Sequence, residues 1–178
     1  MKKLLSAICL AATLALTATA LADDAPTRPY ISIEGSTVDQ IVIGLVPTGL
    51  RIDEVYSATV TSGLFEGATG RSTNYALLRN DGVFVVDIRG AFFATDGVVV
   101  GVRIQGYSQP LPLTPEAFLD PAFEPPDPDE ANIRLHGLMW IETMAPQYAF
   151  LNHTVFDMHG TFNMATGEMQ ITYTAMVD

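Results

Sequence analysis

Cysteine and lysine are almost missing from this chain, and where they fall sharpens the shortage. Among 178 residues there is one cysteine, Cys9, and there are two lysines, Lys2 and Lys3. All three lie in a stretch that reads as a secretory leader. Met1-Lys2-Lys3 is a positive start, Leu4 to Leu16 is an apolar run, and Ala20-Leu21-Ala22 is a small-x-small cleavage site followed by Asp23-Asp24. The run is short for a membrane span of roughly 20 residues, and Thr13, Thr17 and Thr19 weaken it further. Cys9 sits too early, inside the apolar run, to be a lipidation site. Cleavage after Ala22 would send the protein to the periplasm or the medium.

The consequences are chemical. A mature chain without lysine has no Schiff base and no lysine general base. Without cysteine it has no thiolate nucleophile, thiolate zinc site, iron–sulfur cluster or disulfide. There is no Gly-x-Ser-x-Gly elbow and no glycine-rich phosphate loop ahead of a helix, so nucleotide chemistry is not expected. No cofactor is expected. No later stretch is apolar and long enough to span a bilayer, so no membrane insertion is expected after cleavage.

Positive charge is scarce as well. Removing 22 residues from 178 leaves 156, with seven arginines set against all 20 acids, a net charge of −13. Such a surface repels nucleic acid and anionic membrane. The length suits one domain with a good core.

What is present is strand sequence. Tyr30–Glu34, Val38–Val46, Ile52–Thr61, Tyr75–Arg79, Val83–Ala94, Val98–Tyr107, Ile133–Thr143, Tyr148–Met158 and Met169–Val177 are rich in β-branched and aromatic residues. Pro47-Thr48-Gly49, Asn80-Asp81-Gly82, Asp96-Gly97 and Ala165-Thr166-Gly167 are turn signals between them. The pattern predicts an all-β fold, a single antiparallel closed barrel or a sandwich. A two-residue Asp96-Gly97 loop would set Arg89 opposite Ile104 and Phe93 opposite Val100. Each face of that hairpin then mixes apolar and polar residues, so both faces are expected to be covered. One would face the lumen, the other a loop or a second subunit in a homo-oligomer.

Residues 108–131 break the pattern. They hold seven of the eleven prolines and six acids, and no basic residue. Thr114-Pro115-Glu116 is a helix start, and Phe118 and Leu119 would dock that turn on the barrel. A loop this long is either a lid or contact surface, or a neutral insertion.

The surviving chemistry is His, Asp, Glu, Tyr and Arg. His136, Trp140 and Glu142 share a face of one strand, which reads either as a pocket wall with an acid–base pair or as a core tryptophan with polar rim groups. His153, Asp157 and His159 would share a face of the next strand if it is regular. Two ligands are not a metal site, and we read Asp157 and His159 as polar residues at a strand end, with no metal. Arg89 and Arg103 sit mid-strand among valines. Either Arg89 pairs with Asp87, or the arginines hold an anionic ligand group.

Several motifs carry a family resemblance. Gly63-Leu64-Phe65-Glu66-Gly67, Asn74-Tyr75, the span from Asp81-Gly82 to Asp96-Gly97, and Tyr148-Ala149-Phe150-Leu151-Asn152 are similar to the DUF3237 (UPF0311) family from about Ala58 onward. That resemblance implies a small calycin-like closed barrel. The family's Asp-Trp pair is Asn74-Tyr75 here, and an amide cannot serve as a general base. Phe150 replaces a tryptophan, the stretch Ala68 to Thr73 is short, and the proline-rich insertion is long.

The reading that results is a barrel, residues 23–178, whose lumen binds a small apolar or aromatic molecule. Asn74, Tyr75, Arg89, Arg103, Trp140 and Asn152 are the expected ligand-binding residues. His136, His153 and Glu142 are the expected catalytic groups for cofactor-free isomerisation, cyclisation or elimination. The alternative is a non-catalytic carrier or a structural subunit of the envelope.

Overall fold

The computed structural model describes residues 28–176; the proposed leader lies outside the described residues. Eight strands follow one another around a closed antiparallel barrel: β1 (Tyr30–Val46), β2 (Gly49–Gly63), β3 (Thr69–Arg79), β4 (Phe84–Phe93), β5 (Val99–Ser108), β6 (Asn132–Glu142), β7 (Val155–Asn163) and β8 (Glu168–Met176). β8 returns to pair with β1. Among the described residues no helix is long and apolar enough to cross a membrane.

Alternation explains the wall. On β4 and β5 the even-numbered Val86, Ile88, Phe92, Val100, Val102 and Ile104 are buried in the lumen. Arg89, Phe93, Val99, Arg103 and Tyr107 point outward and are exposed. This corrects the expected hairpin. The loop has three residues, Thr95-Asp96-Gly97, closed by Ala94 N–H to Val98 O at 2.8 Å, with Gly97 at φ +84°. Register therefore shifts by one: Arg89 faces Arg103 and Phe93 faces Val99. A one-residue slip moves every side chain to the other face, which is why the faces are cleanly divided and the outer one is open.

Three other expectations change. Tyr30–Glu34 and Val38–Val46 are one strand, bent by irregularities at Thr37/Asp39 and Val42/Gly44. β3 begins at Thr69 rather than Tyr75. The first half of the expected strand Tyr148–Met158 is a 3-10 helix over Pro146–His153, and β7 starts only at Val155. Pro146 favours that helix start, since its fixed φ suits the first turn and its missing N–H costs nothing there.

The two ends of the barrel differ. One end is plugged by Phe65, Leu151, Phe156, Met139 and Tyr173, all buried. Phe65 sits in the β2–β3 turn at φ +62°, and its ring meets that of Tyr148 edge-on at 4.8 Å. Tyr148 in turn donates its hydroxyl to Asp96 at 3.0 Å, tying the 3-10 helix to the β4–β5 turn. The other end is roofed by the segment between β5 and β6. It holds a short helix, α1 (Pro115–Phe118), capped by Thr114, whose hydroxyl accepts from Ala117 N–H at 3.2 Å. Leu113 and Phe118 pack on Leu50, Ile52, Ala76 and Leu78 at the upper ends of β2 and β3. Asn163 Nδ2 holds the far side of the segment through Pro128 O at 2.7 Å.

Candidate functional site

Beneath that roof lies a cavity of about 430 Å³, within the usual range for a small-molecule site. Its walls are mostly apolar: Phe84, Val86 and Ile88 from β4, Ile133 and Leu135 from β6, and Ile171 from β8, with Phe118 and Phe123 above. Polar side chains break that wall in two places: Thr37, Gln40 and Thr166 at the rim, and Glu54 and Tyr56 from β2 with Asn74 from β3 within it.

Glu54, Tyr56 and Asn74 form one network. On β2, Leu50, Ile52, Glu54, Tyr56 and Val60 all turn inward, so a carboxyl group sits in a row of apolar residues. Glu54 is only 9 % exposed. Tyr56 donates its hydroxyl to Glu54 Oε2 at 2.5 Å, and Asn74 Nδ2 donates to the same oxygen at 3.0 Å and to the Tyr56 hydroxyl at 3.3 Å. The orientation of the Asn74 amide is set from behind: its Oδ1 accepts the backbone N–H of Asp87 at 3.2 Å, where the β3–β4 ladder is interrupted. Nδ2 must then face Glu54.

Both side-chain hydrogen bonds to Glu54 fall on Oε2, which leaves Oε1 without a partner among the described residues. Burial raises the Glu54 pKa above its ordinary value, and the bonds from Tyr56 and Asn74 offset only part of that rise. Because Oε2 already accepts from two donors, the proton of the neutral acid belongs on Oε1, facing the lumen. Burial also pushes the Tyr56 phenol well up, with the Glu54 charge next in effect, and burial raises Tyr173 too. Both phenols stay protonated and can only donate or accept hydrogen bonds.

A raised folded pKa carries a sign. The neutral form of Glu54 is favoured by folding, so its contribution to stability is complete below the ordinary value of 4.5 and is lost as pH rises through the folded value. Glu54→Gln removes that dependence. Urea unfolding of both proteins across pH 4 to 8 should show the glutamine variant gaining on the wild type as pH rises from about 4.5, then a plateau. Parallel curves would mean Glu54 is not desolvated.

Of the residues expected to line the lumen, Asn74 does so. The others lie elsewhere: the β4–β5 register accounts for the arginines, alternation for Tyr75, and the 3-10 helix for Asn152 and His153. Tyr75 is on the outer face, its ring under the Arg51 guanidinium at 5.4 Å. Arg89 and Arg103 are cross-strand neighbours on the outside, and Arg89 stands 3.9 Å from Asp87 in an exposed pair worth little. Trp140 lies beside Arg103 on the same outer face, and Glu142 is exposed at the strand end. His153 ends the 3-10 helix, so it shares no face with Asp157. Asn152 caps a turn, accepting from Thr143 N–H at 2.8 Å and donating to Thr143 O at 2.9 Å. His136 does meet His159, Nδ1 to Nδ1 at 2.9 Å, and His159 Nε2 meets Asp157 at 2.6 Å, but this chain runs along the outer wall. Among the described residues no cluster of three has the geometry to hold a metal ion.

Fold and site together define a class: a small closed barrel, plugged at one end, with an apolar cup at the other and a single buried carboxyl in its wall. The chain belongs to the family described as "Protein of unknown function (DUF3237)", which it matches over residues 16–177. No curated protein matches it. Among solved structures it is similar to a conserved protein of unknown function from Rhodopseudomonas palustris (22 % identity, TM-score 0.61, covering 84 % of this chain and 96 % of that one). It is also similar to a beta-barrel like protein from Acinetobacter baumannii (19 %, 0.62, 84 % and 94 %). A structure described as an enzyme from Penicillium herquei is more distant (12 %, 0.51, 85 % and 97 %). These likenesses carry the fold alone.

Proposed function

We propose that the protein, placed outside the cytoplasm by its leader, takes one small, largely apolar or aromatic molecule into the cup and acts on it by proton transfer through Glu54. The observation that carries this is a buried carboxyl, raised in pKa, in the wall of an apolar cavity, with one oxygen unpartnered among the described residues. In a cofactor-free isomerisation, cyclisation or elimination, the acid gives its Oε1 proton to one atom of the substrate. The carboxylate so formed takes a proton from another atom, and the starting state returns. Tyr56 and Asn74 hold the carboxyl in place and stabilise its charged form at the moment it exists. Water exclusion by the apolar walls strengthens both effects.

A carrier would use the same cup with Glu54 as a polar anchor. Native mass spectrometry of protein purified from the envelope of its own cells addresses both readings. A bound adduct is expected, and it should be absent from a Val86→Trp variant that fills the cavity. Adding the recovered molecule at 100 times its Kd should stabilise the wild type by about 2.7 kcal/mol. A molecule returned chemically changed marks an enzyme, and one returned intact marks a carrier. Protein free of any adduct, with no stabilising compound in a screen of small aromatic molecules, would refute the cup as a binding site.

A further inference from the structure

The barrel is closed around only part of β1. β1 pairs with β8 from Tyr30 to Ser36, and the last link to that side is Thr37 N–H to Gly167 O at 2.9 Å. Beyond it, β1 continues to Val46 paired with β2 alone. Among the described residues its other edge is open, with unpaired backbone donors and acceptors, the kind of edge that soluble proteins normally blunt with charge, proline or a bulge. Beyond Asp39 only the irregularity at Val42/Gly44 interrupts it. Here the residues from Gln40 to Val46 carry neither charge nor proline. Instead Val38, Ile41, Val42, Ile43, Leu45 and Val46 are each 37 to 58 % exposed. This edge also bounds the cup. Thr37 and Gln40 on one side of the gap, and Ala165, Thr166 and Gly167 of the β7–β8 turn on the other, all line the cavity.

We propose that this edge is the dimer interface, filled by the same strand of a second copy running antiparallel, and that the partner strand closes the gap beside the mouth of the cup. Four observations favour a second copy. Antiparallel pairing of a strand with itself is two-fold symmetric, so one largely apolar edge satisfies both partners, with its single charge, Asp39, set opposite Leu45 rather than its own copy. Centred on Val42, the pairing sets Ile41 against Ile43 and Val38 against Val46. The exposed side chains offer on the order of 500 Å² of apolar surface per copy, the upper end for a monomer's largest patch. Two copies would bury about 1,000 Å² before the strand hydrogen bonds are added, which is where specific interfaces begin. The segment just before β1, Asp23-Asp24-Ala25-Pro26-Thr27, is a poor occupant, being acidic and interrupted by proline.

The test needs no ligand, so it stands apart from the function proposed above. Sedimentation equilibrium of the purified protein should give twice the chain mass at tens of micromolar. Ile41→Lys combined with Ile43→Lys should give the single-chain mass with circular dichroism unchanged, since both side chains are half exposed in the single chain, and with Tm lowered only by the lost association. In a Cys9→Ser background, Val42→Cys should cross-link two chains under mild oxidation, and Glu116→Cys on the roof should not. A monomeric wild type would overturn the proposal. So would a dimer that survives the lysines, or one that cross-links equally well at Glu116.

Discussion

Glu54→Gln should leave the fold and the bound molecule in place and lower turnover by about 10²–10⁴-fold, the usual contribution of a positioned acid–base group. The glutamine copies the neutral acid. Its oxygen accepts from Tyr56 and Asn74 as Oε2 does, and its amide points donors into the cup where the Oε1 proton was. What it cannot do is release a proton and take one back. The loss should therefore appear in kcat with KM nearly constant, as expected when an interaction made only in the transition state is removed. Tyr56→Phe makes a useful companion. It removes one donor to the carboxylate and should slow turnover less, while raising the Glu54 pKa further and so moving upward the alkaline limb of the pH profile, where the neutral acid is lost. Steady-state kinetics on the molecule recovered from the protein read both effects. Unchanged turnover in Glu54→Gln would rule out Glu54 as the proton carrier.

Phe156→Ala should destabilise the protein by about 3–5 kcal/mol, the range for deleting a fully enclosed aromatic ring. The ring has no exposed surface, faces Met139 and Ala175 on the neighbouring strands, and lies in the plugged half of the barrel. A closed barrel cannot collapse easily onto a hole, because each strand is held on both sides by its neighbours. At about 2–4 °C per kcal/mol for a domain of this size, Tm should fall by roughly 6–20 °C. Urea denaturation and a thermal melt check it. A loss under about 1 kcal/mol would mean the plug rearranges freely, and the cup would then lack a rigid floor.

The strands were legible because their residue types and turn signals agree, and the family resemblance pointed to closure into a barrel. The site was legible only in part. Asn74 stood out through the motif it belongs to. Glu54 was hidden in plain view: Leu50, Ile52, Glu54, Tyr56 and Val60 alternate at period two, and a carboxyl on that face has to be buried once the strand is in a barrel. Nothing in composition singles out one acid among 20, whereas the three histidines and the mid-strand arginines stand out by scarcity. The arginines were misplaced by a single residue of register, because Asp96-Gly97 serves a two-residue or a three-residue turn equally well. The 3-10 helix at Pro146–His153 was missed because Tyr, Phe and Leu there also suit a strand, and only the proline at its start argues otherwise.

The division of the barrel into a plugged end and a roofed end has a practical consequence. Two of the motifs that carry the family resemblance, Gly63 to Gly67 and Tyr148 to Asn152, belong to the plug, as does Asp96, which anchors Tyr148. The roof between β5 and β6 and the β7–β8 turn belong to the mouth. Foundation and aperture are thus written in separate pieces of chain. A different roof grafted between Ser108 and Asn132 would reshape the mouth without touching the plug, provided it again covers Leu50, Ile52, Ala76 and Leu78 as Leu113 and Phe118 do. This makes the scaffold a natural starting point for receptors built to order.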